Sequence, residues 1–146
     1  MKKLIMSACL LGEPCRYDGK SKPCAGVEAL KHQYILLPVC PECMGGLPTP
    51  RPPAELQRDG RVVNREGRDV TKNYWEGAES VLRIAKEEDC GVALLKEKSP
   101  SCGKGRIYDG SFSKTLTNGN GVCAELLLQN GIRVLGESEI EALLEK

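Results

Sequence analysis

Apolar residues come in short, nearly unbroken runs along this chain: LIMSA at 4–8, YILLPV at 34–39, GVALL at 91–95 and IRVL at 132–135. Such runs, bounded by polar or glycine-rich stretches, predict strands buried on both faces. Between them the period changes. In DVTKNYWEGAESVLRIAKEEDC (69–90), Tyr74, Ala78, Val81, Leu82 and Ala85 recur at helical spacing, with Asp69 or Thr71 available as a cap. VCAELLLQN (122–130) predicts a shorter helix stopped by Gly131, ESEIEALLEK a terminal helix starting near Glu137 or Ser138, and 24–32 a weaker helix. RVVN (61–64) reads as a strand or hairpin arm turned by REG. CPECMGGLPTPRPP (40–53) is predicted to be irregular, because five prolines and two glycines interrupt it. Residues 99–121 read as a long glycine-rich segment.

Strands alternating with helices predict an α/β fold: a mostly parallel sheet with helices on both faces, Rossmann-like, as a single domain over 1–146. Ligands of such folds bind beyond the carboxyl ends of the strands. A chain of 146 residues buries an adequate core without disulfides or a structural metal. The longest apolar runs are too short to span a bilayer, and MKKLIMSACL has no long apolar region followed by a cleavage site. These features predict a cytoplasmic protein without a membrane partner. Lys and Arg number 21 against 20 Asp and Glu, so no global field calls for intact nucleic acid.

Eight cysteines are many for a reduced compartment, and they direct attention to metal chemistry. Cys9 follows the first predicted strand, Cys40 the second, and Cys102 lies on the turn after the third. A parallel sheet would bring these three to one edge. Thiolates suit zinc or an iron–sulfur cluster. Structural zinc prefers four ligands from two close pairs, whereas Cys40 and Cys43 form a single C-x-x-C and the only histidine, His32, falls mid-helix. Cys15 competes as a ligand because it closely follows Cys9, while Cys24, Cys90 and Cys123 read as packing residues.

Glu42 lies two residues after Cys40, placed to activate water near a metal, although a loop carboxylate is also simply solvated. Ser99 and Ser101 flank Pro100, where hydroxyls bind substrate or cap the turn. Arg16, Arg51, Lys104 and Arg106 share loops with the cysteines and are candidates to receive an anionic group. Two YDG triplets, at 17–19 and 108–110, are turn signals first. The proline-rich stretch 45–55 reads as a rigid loop that fixes Arg51 and Glu55 near the site.

SACLLG (7–12), RYDG (16–19), PVCPECMGGLPTPRPPAE (38–55), GRDVT (67–71), LLKEKSPSCG (94–103) and IYDGSF (107–112) together resemble the bacterial family once called domain of unknown function 523, which includes the thiouracil desulfidases. The resemblance covers nearly the whole chain and is to the single-domain members, which are associated with 4-thiouridine monophosphate. It implies non-redox desulfuration on a [4Fe-4S] cluster held by Cys9, Cys40 and Cys102, with release of hydrogen sulfide from a small-molecule thiopyrimidine or its nucleotide. It implies catalytic positions for Glu42 and Ser101. Arg16, Ser99, Lys104 and Arg106 are the candidates for substrate binding. Cys43 departs from the pattern expected of many members and, with Cys15, leaves an alternative ligand set open. Two other readings compete: a metal-binding or sulfur-carrier protein, and a metal-free thiol enzyme using Cys102 as nucleophile.

Overall fold

Leu4 and Met6 pack into one hydrophobic cluster and Ile5 into another, so a single strand feeds two separate cores. This alternation is what a sheet covered on both faces requires. The computed structural model describes residues 1–144. In chain order the elements are β1 (Lys2–Ser7), a 3-10 turn over Ala8–Leu11, α1 (Val27–Gln33), β2 (Tyr34–Val39), α2 (Pro41–Met44), β3 (Ala54–Leu56), β4 (Val62–Asn64), α3 (Thr71–Glu87), β5 (Val92–Leu95), β6 (Arg106–Tyr108), β7 (Leu116–Asn118), α4 (Val122–Gln129), β8 (Arg133–Gly136) and a 3-10 segment over Glu137–Leu143.

The central sheet has the order β2-β1-β5-β8, and every pairing in it is parallel. One core lies under α3 and α4, where Tyr74, Ala78, Val81, Cys123 and Leu127 meet Ile5, Ala93, Leu95 and Val134. The other lies under α1 and the two 3-10 segments, where Leu10, Leu30 and Leu143 meet Leu4, Met6, Leu94 and Leu135. The four long strands and the helices at 71–87 and 122–129 thus follow the hydrophobic pattern. Neither Asp69 nor Thr71 is the cap of α3, a position held by Val70 without a side-chain bond; the Asp69 carboxylate accepts the Thr71 amide at 2.9 Å, and the Thr71 hydroxyl accepts the Val62 amide of β4 at 2.9 Å.

Three local expectations differ from the structure. Pro41–Met44 forms one helical turn inside the stretch predicted to be irregular, because a proline at the first helical position supplies the required φ and forfeits no intrahelical hydrogen bond. The glycine-rich segment holds a hairpin, β6 paired antiparallel with β7, whose strands are too short to show a period. The terminal segment is a 3-10 helix over Glu137–Leu143, and its predicted continuation to 145–146 lies outside the described residues.

Candidate active site

Strand order reverses between β1 and β5: the chain leaves β1 toward β2 on one side, and β5 toward β8 on the other. Connections diverge at such a point and leave a crevice at the carboxyl ends of the strands. Here a cavity of about 380 Å³ opens, lined by Cys9, Cys15, Cys40, Glu42, Ser99 and Cys102 among others. Ser7, the last residue of β1, closes the seam by accepting the Lys96 amide on its hydroxyl at 2.9 Å.

Each thiol is held by its own backbone device. Cys9 sits on the 3-10 turn directly after β1, its carbonyl accepting the Lys22 amide at 2.9 Å. Cys40 occupies the position before the first turn of α2, in extended conformation. That turn rests on α3 where Gly77 meets Pro41: a Cβ on Gly77 would collide with the Pro41 carbonyl. Cys102 lies in a turn organised by Ser99, whose hydroxyl accepts the amides of Ser101 at 3.1 Å and Cys102 at 3.0 Å. The carbonyls of Pro100 and Ser101 accept the first amides of α4, from Val122, Cys123 and Ala124, at 2.8 to 3.0 Å. The SPSC turn therefore serves as the cap of α4. Gly121 permits this contact, since a Cβ there would lie 2.6 Å from the Ser101 carbonyl carbon.

Glu42 is partly buried beside the buried Arg51. The guanidinium places Nη2 at 2.6 Å and Nε at 3.0 Å from a single carboxylate oxygen, Oε2. The other oxygen, Oε1, stands 3.5 Å from the Ser99 hydroxyl. Arg51 also donates to the carbonyls of Cys15 and Pro48 and to the Thr49 hydroxyl, at 3.0 to 3.2 Å. Burial opposes its charge, but the Glu42 carboxylate outweighs burial and raises its pKa.

Three of the cavity thiols, Cys15, Cys40 and Cys102, have their pKa values raised in this environment. A hydrogen bond from Cys40 draws Cys15 down, but one from Cys9, with burial, pushes it up to about 11. Cys40 is raised first by its contact with Cys15 and then by burial. Burial, and next the charge of Glu42, push Cys102 up to about 12. Among the described residues no three His, Cys, Asp or Glu side chains are close enough to hold a single metal ion.

Of the residues singled out from sequence, Cys9, Cys40, Cys102, Glu42, Arg16 and Ser99 share the cavity wall. Ser101 does not: it is fully buried, and its hydroxyl finds no hydrogen-bond partner among the described residues. Lys104 points away to Glu139 at 3.7 Å, and Arg106 is exposed on β6. Cys43 packs against Arg51 and Thr49 outside the cavity. Cys90 and Cys123 are packing residues in the larger core. Arg51 and Glu55 are fixed at the site, Glu55 by accepting the amides of Gly110 and Phe112 at 2.9 and 3.1 Å. Sequence reasoning did not place Lys22, Arg65, Lys98 and Lys114 on the wall, nor Tyr17 and Tyr108. The two tyrosines begin the repeated YDG triplets, which was the available signal.

An α/β sheet with a thiol-ringed cavity at its switch point, and a carboxylate and a hydroxyl facing that cavity, defines a small-molecule binding protein built around cysteine chemistry. The chain belongs to the 2-thiouracil desulfurase family, whose model matches residues 4–139. It is 47% identical to a solved structure described as the [4Fe-4S]-dependent thiouracil desulfidase TudS (DUF523Vcz), with a TM-score of 0.92 over 98% of this chain and 95% of that one. It is 41% identical to the protein YbbK of Bacillus subtilis (strain 168), described as uncharacterized, over 97% of this chain and 99% of that protein. No helix among the described residues is long and apolar enough to cross a membrane.

Proposed function

We propose that this chain removes sulfur from a thiolated pyrimidine, a thiouracil or 4-thio-UMP, by non-redox hydrolysis on a [4Fe-4S] cluster, giving the oxo-pyrimidine and hydrogen sulfide. The observation that carries this reading is the convergence of Cys9, Cys40 and Cys102 from three strand ends on one cavity. The donor set fits the cluster: the thiols are free, and they ring a space wider than a single ion. Three cysteines on a four-iron cluster leave one iron without a protein ligand. When bound, the cluster would supply a Lewis-acidic iron that polarises the thiocarbonyl.

The chain's own residues supply the rest. Glu42, with one oxygen tied to Arg51, keeps Oε1 to take a proton from the attacking water. That water's oxygen adds to the ring carbon, the carbon–sulfur bond breaks, and the sulfur leaves with two protons, so no electrons are exchanged. Ser99, on the cavity wall and next to Oε1, is better placed than Ser101 to pass a proton or hold the ring. Arg16, Lys22, Lys98 and Lys114 favour a nucleotide phosphate over a neutral base, replacing Lys104 and Arg106 in that role. Eight free thiols are compatible with action in the reducing cytoplasm.

Iron and acid-labile sulfide in anaerobically purified protein test this first. About four of each per chain are expected, lost in Cys102→Ala. Glu42→Gln is expected to keep its iron while sulfide release from 4-thio-UMP falls about 10²- to 10⁴-fold. Wild-type protein that takes up no iron even on reconstitution ends this reading and leaves the thiol enzyme or the sulfur carrier.

A further inference from the structure

Tyr74 is the largest fully buried side chain, with 2% of its surface exposed, yet it lines the cavity at the switch point. Its phenol makes no hydrogen bond to any described residue, and its oxygen is not sealed: Ser101 Oγ is the one buried side-chain atom without a partner among the described residues. A tyrosine hydroxyl both donates and accepts, and one that opens on a cavity is available to a ligand held there. Glu42, Arg51, Cys102 and Cys40, the chemical heart of the site, line the same cavity. Its backbone is fixed from two sides: α3 packs on α2 at Gly77, and Thr71 ties the helix start to β4. The backbone of Tyr74 is thus held in place on the wall of the cavity that Glu42 also lines.

We propose that Tyr74 is a specificity-determining residue, its phenol donating a hydrogen bond to a ring carbonyl of the bound pyrimidine. The inference rests on the desulfidase reading for the nature of the ring, but its geometry is independent of the cluster. A phenol in this position is a donor, so it selects rings that present an acceptor at the cavity floor. Once the ligand is bound, the hydroxyl exchanges water for the ring carbonyl, and the gain appears as affinity.

The test compares wild type with Tyr74→Phe. This substitution preserves ring packing and leaves no protein group unpaired, so the melting temperature and iron content are expected to stay unchanged. The KM for 4-thio-UMP is expected to rise about tenfold, with kcat within about twofold. A titration with UMP followed by NMR should weaken by the same factor. An active wild type whose KM is matched by Tyr74→Phe overturns the role of Tyr74 while the desulfidase reading stands. A wild type that releases no sulfide ends the desulfidase reading instead. The UMP titration then decides Tyr74 alone: weaker binding by the variant upholds the donor, and equal or absent binding overturns it. A lower melting temperature in Tyr74→Phe together with unchanged UMP affinity marks the hydroxyl as structural and also overturns it.

Discussion

Glu42 offers the cavity one carboxylate oxygen because Arg51 occupies the other. A lysine could neutralise the charge, but it lacks the planar fork that also reaches the carbonyls of Cys15 and Pro48. The two serines of SPSC differ just as sharply. Ser99 holds two amides and faces Glu42, whereas the Ser101 hydroxyl is sealed and unpaired. Ser99→Ala strands the Ser101 and Cys102 amides, and we expect it to cost about 1–2 kcal/mol in urea denaturation as well as most of the sulfide release. Ser101→Ala deletes an unsatisfied group, so stability should hold within about 0.5 kcal/mol and activity should persist. The opposite pattern of activities would return the catalytic role to Ser101. Glu42 and the SPSC turn were visible in the sequence as a carboxylate and small residues near cysteines. The pairing of Glu42 with Arg51 was not, since they stand nine positions apart in proline-interrupted chain and only its fold brings the ends together.

At the scale of elements, the site is precise because two short turns are clamped by helices. The turn carrying Cys40 and Glu42 is pressed on α3 at Gly77, and the turn carrying Cys102 caps α4 at Gly121. Gly77→Ala would drive a methyl group into the Pro41 carbonyl, in a contact made of backbone that cannot rotate aside. We expect overpacking to cost about 1–3 kcal/mol. It should also displace Cys40 relative to Cys9 and Cys102, so that the purified variant holds less iron than wild type although helix content by circular dichroism is retained. Full iron occupancy in Gly77→Ala would show that α2 adjusts without moving its cysteine. Nothing in the local sequence marks Gly77 for this contact. Its purpose depends on a surface contributed from more than thirty residues away.

For the molecule as a whole, the carboxyl ends of β5 and β8 are locked together beyond the sheet. Glu137 accepts the Glu97 amide and pairs with Lys96 at 2.8 Å, both side chains being largely buried. Burial acts against the Glu137 charge, but the bonds to Lys96 and Glu97 outweigh it and hold its pKa below 4.5. A depressed carboxylate stabilises the fold above its unfolded pKa, and that contribution disappears as pH falls through the folded value. Acid unfolding should therefore lose about 1 kcal/mol from this group below about pH 4.5. Glu137→Gln should remove that component, flattening the fall in stability with acid when unfolding free energies are compared between pH 6 and pH 3. A variant with the wild-type pH slope would show that other carboxylates carry the effect. The same lock supports one wall of the cavity, since Lys96 and Glu97 both line it.

The sequence by itself determined the parallel layering and the two long helices, because burial on both faces of a strand or on one stripe of a helix is written as local periodicity. It also determined that Cys9, Cys40 and Cys102 would share an edge, since each follows a strand of one parallel sheet. Only the tertiary structure decided which neighbours of those cysteines face the cavity. Lys104 and Arg106 lie in the right segment, yet the β6–β7 hairpin and the link to Glu139 turn them outward, while Tyr74, Lys98 and Lys114 turn in. The physical reason is the range of the interactions. Periodicity records what one element buries, whereas the direction of a loop side chain is set by backbone hydrogen bonds and close contacts with elements far along the chain.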